Sequence, residues 1–593
     1  MPSHALPPAT LPACLAHWAR HTPDRRAFTF ASHPSPDLHG RHRTLTWRRV
    51  GVRTRAVASR LADTVAPGER VALLGPQGPE YVVGFLAALT AGTVAVPLFT
   101  PELPGHADRL AGVLADARPS AVLTTREAAD GVRAFLETTG VRTRLIVTDL
   151  IPDHQADGPP PPEPEEHATA YIQYSSGSTR FPTGVEISHA NVVANARQAL
   201  TAYGADGRPV TMVGWLPLYH DMGLLLSVAA PVLRGLLSVL MDPLAFLQRP
   251  ARWLHLLSEH PDTLSAAPNF AYDYCAAAIG DDDKAGLRLD RVLALANGSE
   301  PVRPETADRF HAAFAGQGLS PDTHCPSYGL AEATVFVSAH RPGHPLRRHH
   351  LDREALADGK ARPVPPDDPC ATQLAACGEP VGQTVRVVDP ATATALPEGE
   401  VGEIWVQGPN VGHGYLDRGP LTDETFRARL THEPGPWLRT GDLGTLLDGQ
   451  LLVTGRLKDL IIVDGRNHYP QDIEVTAQTA HPAIRPDRLA AFAVPAGRLP
   501  AGRDTAPGAV LAAESAVIVA EHARGLPAPA RDPEEVAAAV RAAVSARHGL
   551  RPADVLLVAP GTVARTSSGK VSRTLTRARY LDGDYERPGR GTQ

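Results

Sequence analysis

The sequence predicts an α/β fold: a large N-terminal domain of layered sheets with helices, carrying a small β-rich subdomain, and a smaller α+β C-terminal domain. Three observations predict it. At 593 residues the chain is too long for a single core. Over residues 10–150, and again over 211–300, helical patterns alternate with short β-branched runs, as in a layered, largely parallel sheet. After Cys377 the texture turns β-rich, and past Tyr469 the alternation resumes in a smaller unit.

The first strands are read at 71–74, 94–96, 121–123 and 145–147. The uncharged run 82–99 is as long as a membrane span, but Gly92 and Pro97 divide it into a helix-like and a strand-like half, so it is predicted to be buried core. DGPPPPEPEE (157–166) is an internal connection, because a strand at 170–174 follows at once. That strand leads into the stretch YSSGSTRFPTGVEISH; a second strand at 185–187 leads out, and Ser188 stands where a helix cap precedes His189. Residues 349–376, containing PVPPDDP, read as irregular. A helix is expected at 534–547 and a strand at 555–557. The boundary is drawn after 457, giving domains 1–457 and 458–593.

Composition excludes several classes. The formal net charge is −6, from 58 basic and 64 acidic residues, and no basic block stands out, so a nucleic-acid partner is not expected. Cys14, Cys275, Cys325, Cys370 and Cys377 form no CxxC pair, which points to a reducing, cytoplasmic setting. The N-terminus has no basic region before an apolar core, so no signal peptide is read, and no membrane span is expected. Lysine is confined to positions 284, 360, 458 and 570, with arginine at nearly every other basic site, as GC-rich coding produces. A lysine kept under that bias marks a place where a compact ammonium serves better than a planar guanidinium.

The stretch after Tyr174 carries Ser175, Ser176, Gly177, Ser178, Thr179 and Arg180, then Gly184. Small hydroxyl residues and glycines let backbone N–H groups turn toward an anion, and Arg180 adds fixed positive charge. This is the chemistry of a phosphate-gripping loop, though not of the GxxxxGK[ST] type. A polar hairpin is the alternative reading.

Further along stand GSEP (from Gly298), YGLAE (from Tyr328), RTGD (from Arg439), GRLKD (from Gly455) and SSGK (ending at Lys570). Together with the hydroxyl loop, in this order, they resemble the adenylate-forming superfamily of acyl-CoA synthetases, peptide-synthetase adenylation domains and luciferases. Within it, YGLAEATVFVS, SGSTR and GRNHYPQDIE (from Gly465) are most similar to the fatty acyl-AMP ligases, and 349–376 lies where those ligases carry an insertion. The resemblance implies a mobile C-terminal domain and a two-step reaction. A fatty carboxylate attacks the α-phosphate of ATP, and the acyl group then passes to the phosphopantetheine thiol of an acyl carrier protein. It implies ATP and Mg²⁺ as cofactors. Ser175–Arg180 would hold the β- and γ-phosphates, and Lys570 would bridge the carboxylate and the α-phosphate. Glu332, with Thr179, would hold Mg²⁺. Asp442 would accept from the ribose hydroxyls with Arg456 assisting. Tyr328, next to Gly329, would offer a face to adenine beside the turn Asn297, Gly298, Ser299 and Glu300. His220 would lie near the acyl carboxylate, a buried structural histidine being nearly as good a reading, and Lys458 would be the hinge. One departure stands out: the superfamily loop usually ends Pro-Lys-Gly, and here it is Pro182-Thr183-Gly184.

LPLYHDMGL places Asp221 after His220, without the Phe-Asp pattern that meets an amino acid's ammonium, so an amino-acid substrate is not expected. The apolar run 224–231 suits either an acyl-tunnel wall or a core helix. His340, His344, His349 and His350 fit no zinc spacing. No carrier-like segment follows Lys570, so the carrier is expected in trans. The rival readings are a fatty acyl-CoA ligase, using CoA as acceptor, and a non-catalytic scaffold that has kept the fold.

Overall fold

Two large sheets build the body of the protein, whose computed structural model describes residues 9–103, 106–174, 182–463, 466–495, 498–499, 514–527, 531–566 and 570–585. One sheet has seven strands among the described residues, with Arg70–Leu74 flanked by Val94–Leu98 and Ala121–Thr124 in parallel. Arg144–Val147 and Thr169–Tyr174 extend it in parallel, and Gly184–Ser188 closes back antiparallel on Thr169–Tyr174. The other sheet has nine strands, parallel through its middle and antiparallel at both edges. One continuous apolar core joins them, with Leu73 and Leu123 from the first sheet and Val213, Val239 and Leu295 from the second. The predicted parallel α/β layering is therefore observed.

The helix Pro79–Thr90 explains the long uncharged run. Every residue from Tyr81 to Leu89 is buried, so the helix has no wet face and its sequence carries no polar period. Gly92 then turns the chain at φ 70°, and the fully buried strand Val94–Leu98 follows. The next helix, His189–Ala202, begins with a capping box, Ser188 accepting from the Asn191 N–H and Asn191 reaching back to the Ser188 N–H at 3.0 Å. Such a cap stabilises by about 1 kcal/mol. Asn191 also donates to the Pro409 and Val411 carbonyls at 2.8 and 2.9 Å, tying the helix to the β-rich part.

That β-rich part is a five-stranded antiparallel sheet ending in Leu438–Leu447 and Gln450–Arg456, with Asp442 directly opposite Arg456. A single 3₁₀ turn, Leu457–Asp459, follows. Beyond it, Ile484–Pro495, Glu514–His522 and Asp554–Val558 form a three-stranded sheet with an apolar core on each face. One core takes in Ile473 and Val540 of the helices Pro470–Ala480 and Pro533–His548; the other takes in Tyr580 of Arg573–Asp582.

The stretch 349–376 differs from expectation. Arg348–Asp352 pairs antiparallel with Ala371–Ala375, and the short helix Arg353–Ala357 lies between them. Between that helix and the second strand, 358–370 lacks helix and strand. Asp352 caps the helix, accepting from the Glu354 and Ala355 N–H groups at 2.8 and 3.1 Å, and pairs with Arg362. Leu351 and Leu356 pack with Leu443, Leu452 and Tyr469. The strand is only half-buried along Arg348, His349 and His350, so it carries no apolar alternation to read.

Candidate active site

A cavity of about 1000 Å³ opens between the body and the unit that follows the 3₁₀ turn. Part of its wall is apolar, with Tyr81, Phe99, Trp215, Leu218, Tyr219 and Leu247. Another part is charged, with Glu332, Asp442, Arg456, Arg488, Arg565 and Lys570. His220 and Asp221 connect the two: Tyr219, beside them in sequence, packs its ring 5.3 Å from Phe99, and the Asp221 and Lys570 charges act on each other. A carboxylate with a long apolar tail and a polyanion fit side by side in such a space.

The strand pair Leu438–Leu447 and Gln450–Arg456 builds the first cluster. Asp442 is buried, at 6% exposure; one carboxylate oxygen accepts from Arg456 Nε at 3.0 Å and the other from the Tyr328 hydroxyl at 2.8 Å. The Asp442 charge holds the Arg456 guanidinium above its ordinary range. Glu332 stands in the 3₁₀ turn Ala331–Ala333 and accepts from the Tyr415 hydroxyl at 2.8 Å. Burial raises its pKa, and the Tyr415 bond acts against that. Glu332 suits a hard cation, and among the described residues no group of three His, Cys, Asp or Glu could enclose a metal ion. Mg²⁺ held there would share its shell with substrate phosphate oxygens, neutralising their charge. His340 instead shares a hydrogen bond with the His344 carbonyl at 3.1 Å.

Lys570 is presented by a tight hairpin. The Thr566 N–H donates to the Lys570 carbonyl at 2.8 Å, the Lys570 N–H donates to Thr566 Oγ1 at 3.2 Å, and Arg565 bridges Val571. Lys570 and Arg565 both line the cavity. Burial pushes the Lys570 ammonium below its ordinary range; Glu300 and Asp221 act against the shift and Arg456 acts with it. Burial, and then Arg488, push Arg565 down to about 10. Several cations gathered this closely are the electrostatics of a polyanion site.

Several expectations need correction. Asn297 does not face the cavity: its amide is fully buried, donating to Asn269 Oδ1 at 3.2 Å and meeting His324 Nε2 at 3.0 Å. Gly298 lies under Ser327, whose carbonyl oxygen would stand 2.8 Å from an added Cβ. Ser299, at φ 69°, does line the cavity, and Glu300 accepts from the Phe270 N–H at 2.8 Å while acting on Lys570. Tyr328 offers no ring face to a ligand. Its ring is core, at 8% exposure, and its hydroxyl orients Asp442. Tyr328→Phe is therefore expected to raise the KM for ATP about ten-fold, the loss of one hydrogen bond to a charged group, with kcat little changed. Of the two readings of the run 224–231, core helix holds; the apolar wall comes from Tyr81, Phe99 and residues within 215–223 and 243–247. Gly329, His220 and Lys458 do line the cavity.

Ser175, Ser176, Gly177, Ser178, Thr179 and Arg180 lie outside the described residues, as do the first three residues of SSGK. The strands flanking the hydroxyl stretch pair Tyr174 with Gly184, and Tyr174 lines the cavity. Asp221, Arg488, Arg565 and Tyr415 are site residues that sequence reasoning missed. Arg565 had a signal, lying in ARTSSGK five residues before Lys570; Arg488 and Tyr415 had none, since only folding brings Arg488 to the cavity and the Tyr415 hydroxyl to Glu332.

The AMP-binding enzyme family matches residues 15–416. A long-chain-fatty-acid–AMP ligase of Mycolicibacterium smegmatis is 43% identical over 97% of this chain and 95% of its own. This chain is a fatty-acid–AMP ligase. A 4-hydroxyphenylalkanoate adenylyltransferase of Mycobacterium tuberculosis is 41% identical to this ligase over 98% of the chain and 93% of its own. A solved structure from work on the fatty acyl-adenylate ligases of E. coli and L. pneumophila shares the two-domain fold at a TM-score of 0.83, with 31% identity over 98% of both chains.

Proposed function

We propose that this ligase joins a long-chain fatty acid to AMP in the cavity and then delivers the acyl group to the phosphopantetheine thiol of a carrier protein on a separate chain. In the first step a carboxylate oxygen forms a bond to the α-phosphorus, the bond to the β-phosphate oxygen breaks, and pyrophosphate leaves. In the second, the thiol sulfur attacks the acyl carbon, AMP leaves, and the thiol proton passes to solvent. The observation that carries this reading is the convergence of Lys570, the Asp442–Arg456 pair and an apolar wall on one cavity. Lys570 stabilises charge where carboxylate and α-phosphate meet. Asp442 receives the ribose hydroxyls, Arg456 and Tyr328 fix its carboxylate, and His220 lies beside the acyl carboxylate. Ser175–Arg180 would grip the β- and γ-phosphates, and Thr179 with Glu332 would hold Mg²⁺, which would neutralise phosphate charge. With Thr183 where the superfamily has lysine, Arg180 supplies the loop's charge. The five cysteines, with no CxxC pair among them, fit a cytoplasmic enzyme.

The deciding experiment offers ATP and fatty acid with CoA and a carrier protein as competing thiols. Acylated carrier is expected; rapid acyl-CoA formation means that the acceptor has been misassigned. Residues 1–457 and 458–593 act as two domains about Lys458, because activation and thiol transfer need different faces of the small domain. Lys458→Pro is accordingly expected to leave pyrophosphate exchange measurable while slowing acyl transfer about ten-fold or more. Equal loss of both steps contradicts the hinge.

A further inference from the structure

Lys570 works from a unit with two apolar cores of its own, which meets the body where Tyr469 packs with Leu351, Leu356, Leu443 and Leu452; that unit must be held where the lysine enters the cavity. Between Ile484 and Leu489 the strand Ile484–Pro495 slips register against Glu514–His522. The resulting bulge carries Arg485, Asp487 and Arg488. Asp487 adopts the left-handed backbone conformation, φ 55°, which aspartate tolerates better than most residues. Its carboxylate accepts from Arg303 Nη2 at 2.6 Å, and its N–H donates to Gln478 Oε1 at 3.2 Å. On the body side, the Arg303 N–H donates to Asn269 Oδ1 at 3.1 Å. Three residues earlier in the same turn stands Glu300, whose charge acts on Lys570.

The bulge is linked in turn to the lysine hairpin. Arg485 donates to Glu521 Oε2 at 3.0 Å, and Glu521 Oε1 accepts from the Val563 N–H at 3.2 Å, just before the turn that presents Lys570. Arg488 leaves the same bulge for the cavity wall. Among the ion pairs between described residues, Arg303–Asp487 is the one that joins 9–457 to 460–585. We propose that this pair is a clasp: Arg303 and Asp487 are positioning residues that fix Lys570 for acyl-adenylate formation while touching no substrate. The inference rests on the adenylating role proposed above.

The test uses the full chain with Arg303→Met, Asp487→Asn, both together, and Arg303→Lys. Fatty-acid-dependent pyrophosphate exchange reads the first step; transfer from supplied palmitoyl-AMP to pantetheine reads the second. Each single variant is expected to lose about ten-fold in exchange kcat with the KM for ATP little changed, as for one charge-assisted hydrogen bond. The double variant should lose no more than either single, Arg303→Lys should recover most of the rate, and thiol acylation should stay at the wild-type level. Singles at the wild-type rate, additive losses, or equal losses in both steps overturn the clasp. Amide hydrogen exchange over 298–303 gives a readout free of catalysis: faster exchange in Asp487→Asn supports the clasp, and unchanged exchange overturns it. A wild-type chain inactive in exchange counts against the adenylating role instead, and the hydrogen-exchange arm still decides the clasp.

Discussion

Lys570→Ala is expected to slow acyl-adenylate formation by roughly 10²–10³-fold, the size of effect that follows removal of a preorganised charge from a site where negative charge builds up. The neighbouring cations do not replace it. Arg456 is committed to Asp442 at 3.0 Å, and Arg565 stands opposite Val571 with its own place on the cavity wall. Lys570→Arg is not expected to recover the rate, because a planar guanidinium cannot take the place of a compact ammonium between two anions. The working form is the cation, and burial lowers its pKa. Activity should therefore be full below that depressed pKa and fall as pH rises through it, with the limb lying below the range of a free lysine. Glu300 holds the pKa up, so Glu300→Gln should move the limb to lower pH. A pH profile of pyrophosphate exchange checks both points, and a limb unmoved by Glu300→Gln counts against the coupling.

Asp442→Ala is the second large effect. The substitution removes the proposed ribose acceptor, strands the Arg456 guanidinium and leaves the buried Tyr328 hydroxyl without its acceptor. Together these should lower kcat/KM for ATP by about 10²-fold and cost about 1–3 kcal/mol of stability. Steady-state kinetics and a thermal melt of the same protein read the two parts separately. Asp442→Asn keeps an acceptor for Tyr328 but loses the charge, so it should melt closer to wild type while remaining impaired with ATP.

Much of the fold was legible because local pattern and final environment agree. The buried strands at 71–74 and 121–123 are short apolar runs, and Ser188 caps the helix it precedes. Asp442, Arg456, Glu332 and Lys570, each singled out in a compact motif, line one cavity. What failed was side-chain direction. Asn297 ends a buried strand and turns into the core, where its amide finds Asn269 and His324; nothing in Asn-Gly-Ser-Glu tells which way that amide points. Tyr328 contributes its hydroxyl where its ring was expected, since the register of distant strands sets Asp442 over it. The strand Arg348–Asp352 was missed because its stability comes from Asp352 capping and from Leu351 packing against residues far along the chain.

The central claim is that one cavity joins a fatty carboxylate to the α-phosphate of ATP. Pyrophosphate exchange by the intact protein, run without acid and then with fatty acids of increasing chain length, tests it most directly. Exchange that depends on added fatty acid, rises with chain length and is lost in Lys570→Ala is the predicted result. Exchange absent with every acid, or equally fast in Lys570→Ala, would contradict the account.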